Sequence, residues 1–66
     1  MIIQLNGETK EFQSSLTIQE LLQSLQMGKK TVVVEVNKQA VFPRNYESYV
    51  LQSEDKVEII TISAGG

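Results

Sequence analysis

The chain has 66 residues, a formal net charge of -2 and neither cysteine nor histidine. That length supports one small domain burying only about 60 % of its unfolded surface, without a disulfide or a Cys/His zinc site to reinforce it. The acidic balance argues against nucleic-acid binding, and the lack of the commonest general base and the best thiol nucleophile argues against intrinsic catalysis.

The opening "MIIQLNGETKEFQ" reads as a hairpin. Met1, Ile3 and Leu5 share one side of an extended chain, opposite Ile2, Gln4 and Asn6. Asn6-Gly7 supplies the two positive-φ residues of a type I′ turn, and the return strand from Thr9 to Gln13 offers Phe12 to the core.

"SSLTIQELLQSLQMGKK" carries helix signals at both ends. Thr17 and Glu20 form a capping box, with Leu16 and Leu21 placed as the hydrophobic staple. Ile18, Leu21, Leu22 and Leu25 recur at i, i+3, i+4 and i+7, one apolar stripe that needs a surface to rest on. Gly28 is placed to close the helix in the left-handed conformation, with Lys29 and Lys30 at the negative end of its dipole.

The β-branched run from Thr31 to Asn37 predicts a strand with Val32, Val34 and Val36 inward and Val33 beside Glu35 on the outer face. Pro43 restricts Ala40 to Phe42 to a short edge segment. Tyr46, Tyr49, Val50 and Leu51 read as an irregular packing stretch, and "QSEDK" as the turn before a last strand, "VEIITIS". The predicted core is Ile3, Leu5, Phe12, Leu16, Ile18, Leu21, Leu22, Leu25, Val32, Val34, Val36, Leu51, Val57 and Ile59. One helix packed across a mixed four- to five-stranded sheet, an α+β arrangement, satisfies this order of elements.

On the last strand, Val57 and Ile59 share one face, and Glu58, Ile60 and Ile62 the other. Glu58 has no obvious cationic partner for a place in the core. Either Ile60 and Ile62 therefore project outward as a docking patch that Val33 extends, or a bulge flips the alternation and buries them. The chain then reads "SAGG". Residues 1–62 are expected to form the body and residues 63–66 a flexible C-terminal tail. Ser63, Ala64, Gly65 and Gly66 carry nothing bulkier than a hydroxyl or methyl group. Extended, four such residues reach about 13 Å, slim enough to thread a narrow channel. A carboxylate at the tip is a poor electrophile until activated as a mixed anhydride with AMP. A sulfur nucleophile can then displace the nucleotide and leave a thiocarboxylate.

These residues carry a resemblance along the whole chain. "IIQLNGE", "TIQELL", "VVVEVN" followed by "VFPR", "ED-VEII" and the closing "AGG" together resemble the ThiS family, β-grasp (ubiquitin-like) sulfur carriers of thiamine thiazole synthesis. The resemblance implies that a ThiF-type adenylyltransferase, using Mg-ATP, converts the carboxylate of Gly66 to an acyl-adenylate. Sulfur relayed from a cysteine desulfurase then gives the thiocarboxylate, which thiazole synthase consumes. The chain itself would be a protein co-substrate in the cytoplasm, with no catalytic residue, metal or cofactor of its own and no contact with membrane or nucleic acid. The small subunit of molybdopterin synthase, another thiocarboxylate donor, a ubiquitin-like protein modifier and a plain interaction module are the alternative readings. Two positions depart from the family pattern. Ser53-Glu54-Asp55 stands where members carry a glycine between acidic residues, asking Glu54 for a left-handed conformation at about 1 kcal/mol. The aromatic after "PR" also arrives early, as Tyr46.

Overall fold

Asn6 and Gly7 adopt φ values of 49° and 83°. Positive φ at both central residues makes a type I′ turn, whose twist matches that of the strands it joins. In the computed structural model, which describes residues 1–62, this turn joins β1 (Ile2–Leu5) to β2 (Glu8–Glu11), with Leu5 opposite Glu8. The return strand is thus shorter than the predicted Thr9 to Gln13. Its end is held by reciprocal hydrogen bonds between the backbones of Met1 and Phe12, both 2.8 Å.

The helix α1 (Ile18–Ser24) begins at the predicted box. The Glu20 N–H donates to the Thr17 hydroxyl at 3.1 Å, and the Thr17 N–H donates to the Glu20 carboxylate at 2.8 Å. The predicted C-terminus is corrected. Gln26, with φ 60°, takes the left-handed position, and Gly28 shows no positive φ. The Met27 N–H donates to the Leu22 carbonyl at 2.8 Å and the Gln26 N–H to the Gln23 carbonyl at 3.0 Å, the paired bonds of a Schellman motif. Lys29 and Lys30 consequently fall beyond the last turn, which holds no basic residue.

The chain continues through β3 (Val32–Val36) and β4 (Gln39–Val41), then a short 3₁₀ turn at Pro43–Asn45, and finally β5 (Lys56–Thr61). Asn37 and Lys38, φ 53° and 70°, make a second I′ turn between β3 and β4. Among the described residues, five strands form one sheet in the order β2-β1-β5-β3-β4. The β1–β5 pair is parallel and the others antiparallel, so β5 runs through the middle and the short β4 lies at an edge, as Pro43 requires.

One hydrophobic cluster joins α1 to the inner face of the sheet. Ile3, Leu5, Val34, Val36, Val57 and Ile59 supply the sheet side, Ile18, Leu21 and Leu22 the helix side, and Leu51 fills the layer between. Phe12, Leu16, Leu25 and Val32 are half-buried at its margin rather than enclosed. Tyr46, not predicted as core, is buried, which pushes its phenol above the usual range. Its carbonyl accepts from the Gln19 N–H at 3.0 Å and ties the irregular stretch to the helix.

Glu54 does adopt the left-handed conformation, φ 74°, with its N–H donating to the Ile2 carbonyl at 2.6 Å. A non-glycine residue there costs about 1–2 kcal/mol. Glycine removes that strain and returns about 0.4–1 kcal/mol as extra freedom of the unfolded chain. Glu54→Gly is therefore expected to stabilise the domain by about 0.5–1 kcal/mol, a rise of roughly 2–8 °C in thermal midpoint by circular dichroism.

Candidate functional site

Strand β5 carries the described chain toward the predicted reactive end. Gly66 and the threading residues Ser63, Ala64 and Gly65 lie outside the described residues; the described part of the candidate site is the strand that leads to them and the face beside it. Val57 and Ile59 are buried, whereas Glu58 and Ile60 point to the outer face. The register with β3 is one-to-one from Val36↔Val57 to Val32↔Thr61. A bulge would set two residues against one. The unbroken register therefore removes the buried alternative for Ile60.

Ile60 is 52 % exposed and Ile62 47 % exposed, and Val33, directly opposite Ile60 across β3 and β5, is 38 % exposed. The pairing extends one step past the strand, because the Ile62 N–H donates to the Thr31 carbonyl at 2.9 Å. These three residues, from two sequence segments, meet as one apolar patch at the end of the sheet nearest the chain's close.

Beside the patch the outer face is acidic. Glu35 and Glu58 lie directly opposite each other, two rungs from the Val33–Ile60 pair and next to it on the same face. Like charges in that position repel across the strands and bring the fold nothing. An apolar patch bordered by two carboxylates complements a partner surface that is apolar at its centre and cationic at its rim. The outward position of Glu35 and Glu58 was legible from the alternation; their meeting across the sheet needs the register.

The other flank of β5 is closed by a residue read from sequence only as part of a turn. Beyond Leu5, β1 turns away while β5 continues, and Asn6 covers the exposed edge. Its backbone N–H donates to the Val57 carbonyl at 2.9 Å. Its side-chain Oδ1 accepts from the Ile59 N–H at 2.8 Å, and its Nδ2 donates to the Ile59 carbonyl at 3.3 Å. A second turn asparagine holds the start of the strand. The Asn37 Oδ1 accepts from the Lys56 N–H at 3.0 Å, and its Nδ2 donates to Asp55 at 3.1 Å. The sequence signal for both is asparagine at the first position of a two-residue turn, but neither its target nor its distance along the chain can be read there.

Among the described residues no group of three or more His, Cys, Asp or Glu side chains is placed to hold a metal ion, and no helix is long and apolar enough to cross a membrane. What the described body offers is a small frame, an exposed apolar patch, and one strand that leads toward the end of the chain.

Comparison with known proteins gives this geometry a setting. The model of the ThiS family matches residues 3–66. The chain is 36 % identical over 66 residues to the sulfur carrier protein ThiS of Bacillus subtilis, covering 98 % of this chain and 100 % of that protein. It is 33 % identical over 66 residues to a thiazole synthase of Paramagnetospirillum magneticum, where it covers 100 % of this chain but 20 % of that protein. The crystal structure of the thiamine biosynthesis protein ThiS from Geobacter metallireducens superposes with a TM-score of 0.85, at 26 % identity and full coverage of both chains. The mixed sheet crossed by one helix is thus the β-grasp arrangement of that structure.

Proposed function

The chain belongs to the ThiS family of sulfur carriers, and from that premise we propose that it delivers sulfur to the thiazole of thiamine as a thiocarboxylate on Gly66. The carboxylate attacks the α-phosphorus of Mg-ATP on a ThiF-type adenylyltransferase, releasing pyrophosphate and leaving an acyl-adenylate. The outer sulfur of a persulfide, formed by a cysteine desulfurase, then attacks the acyl carbon and expels AMP, and a thiol cleaves the resulting acyl disulfide, leaving the thiocarboxylate and a disulfide. The protein is a co-substrate in these steps, and the activating enzyme supplies the catalytic groups in the cytoplasm. Ser63, Ala64 and Gly65 thread the tail to the reacting centre, while Ile60, Ile62 and Val33 dock the body against the enzyme.

The observation that carries this reading is the similarity to the Bacillus subtilis sulfur carrier over the whole length of that protein. Thiazole synthase as the acceptor is supported by the match of the whole chain to 20 % of a polypeptide bearing that name. Incubation with a ThiF-type enzyme, Mg-ATP and a sulfur source should raise the intact mass by the difference between sulfur and oxygen, and fragmentation should put the change on Gly66. A mass that stays constant, or ladders of isopeptide conjugates on other proteins, would overturn it.

A further inference from the structure

We infer that Asn6 is a positioning residue: its side-chain amide stands in for a missing strand on the free flank of β5 and sets the direction in which the end of the chain leaves the fold. This rests on the proposed function only for its consequence in turnover; the positioning itself is a property of the body. Three observations converge. The parallel pairing of β1 with β5 runs through Gln4↔Lys56 and Leu5↔Val57, while β5 continues to Thr61. The Asn6 amide then meets both backbone groups of Ile59, across 53 positions of sequence, at 2.8 and 3.3 Å. And Asn6 occupies φ 49° in the I′ turn, so the same residue fixes the turn and the contact.

Few side chains meet both demands. A primary amide is planar with an acceptor and a donor side by side, so it reproduces the edge of a peptide group. Aspartate tolerates the turn but has no donor, and sets an anionic oxygen against the Ile59 carbonyl. Glycine tolerates the turn and leaves both Ile59 groups without the clamp. Ile59 is the last buried residue before the exposed Ile60–Ile62 segment. A contact there decides whether the strand end points one way or swings, and a reacting group presented at the wrong angle loses turnover steeply.

Asn37 supplies the control. It too occupies an I′ turn and clamps β5 through its side chain, but at Lys56, the end remote from Gly66. Asn6→Gly is expected to lower the maximal rate of carrier adenylation by a ThiF-type enzyme about tenfold, with a smaller rise in KM because the docking side chains of Ile60, Ile62 and Val33 are all retained. Asn6→Asp is expected to lose at least as much. Asn37→Gly should leave both constants near wild type even where it costs comparable thermal stability. In parallel, ¹⁵N relaxation and amide exchange should show Ile59 to Ile62 loosened in Asn6→Gly and unchanged in Asn37→Gly. An unchanged maximal rate in Asn6→Gly, or an equal fall in Asn37→Gly, overturns the positioning role. Should the wild-type chain not be adenylated at all, the proposed function fails, and the relaxation data alone decide the inference: equal order at Ile59 to Ile62 in wild type and Asn6→Gly refutes it.

Discussion

Removal of Gly65 and Gly66 is expected to leave a folded domain that forms no detectable thiocarboxylate. Every buried member of the core lies between Ile3 and Ile59, so the truncation takes nothing from the apolar cluster. The truncated chain still ends in a carboxylate, now on Ala64. What changes is reach and width. Two extended residues account for about 7 Å, and the new terminal residue carries a methyl group where glycine has none. A reacting group displaced that far cannot meet the α-phosphorus, and even small misplacements cost about a hundredfold. Two further chains separate the contributions. Gly66→Ala keeps the length and adds one Cβ at the reacting residue; amidation of Gly66 keeps length and shape and removes the nucleophilic oxygen. Both are expected to fail in adenylation, assayed as pyrophosphate release with the carrier in excess, while circular dichroism matches wild type. Thiocarboxylate on the truncated chain, or turnover of the amidated one, would refute sulfur carriage through Gly66.

Much of the body was legible because its instructions are local. Asn6-Gly7 specifies its turn within two residues, and the Thr17–Glu20 box within four. The outward face of Ile60 followed from the alternation once Glu58 was kept out of the core. Legibility failed where distant parts of the fold chose between local options. Gly28 is the better left-handed residue by propensity, yet Gln26 takes that role. The reason is Met27, which packs against the core when the Schellman bonds close two residues earlier and draws the helix end inward. The I′ geometry of the β3–β4 turn was not legible because Lys38, at φ 70°, is not a residue that announces it. Tyr46 is buried because Pro43 starts a 3₁₀ turn that brings it under α1, a tertiary outcome. At the candidate site the split is the same: exposure of the isoleucines could be read from spacing, but the Asn6 clamp on Ile59 joins two ends of the chain.

Ile60→Lys is expected to cripple adenylation while leaving the fold intact, and lysine is the informative choice. Ile60 is on the outer face of a central strand and half exposed, so its replacement opens no cavity. Surface changes of this kind usually stay within about 0.5 kcal/mol. Lysine also lays its methylene stem along neighbouring apolar surface, and Glu58 and Glu35 on the same face offset its charge. An aspartate at position 60 would add a third carboxylate to that face and confuse repulsion within the fold with loss of docking. At the interface the effect reverses. A partner that is apolar at the centre must bury an ammonium group, and one that is cationic at the rim must also face a like charge. Losing a central anchor costs at least about 2 kcal/mol, roughly 30-fold in affinity. KM for the carrier should therefore rise by at least that factor, with the maximal rate largely kept, the opposite split from Asn6→Gly. Ile62→Lys should behave likewise, and Val33→Lys more mildly because Val33 is the least exposed of the three. A variant that melts before it loses affinity would mean that these side chains hold the fold together, and one that keeps its KM would move the docking surface elsewhere on the molecule.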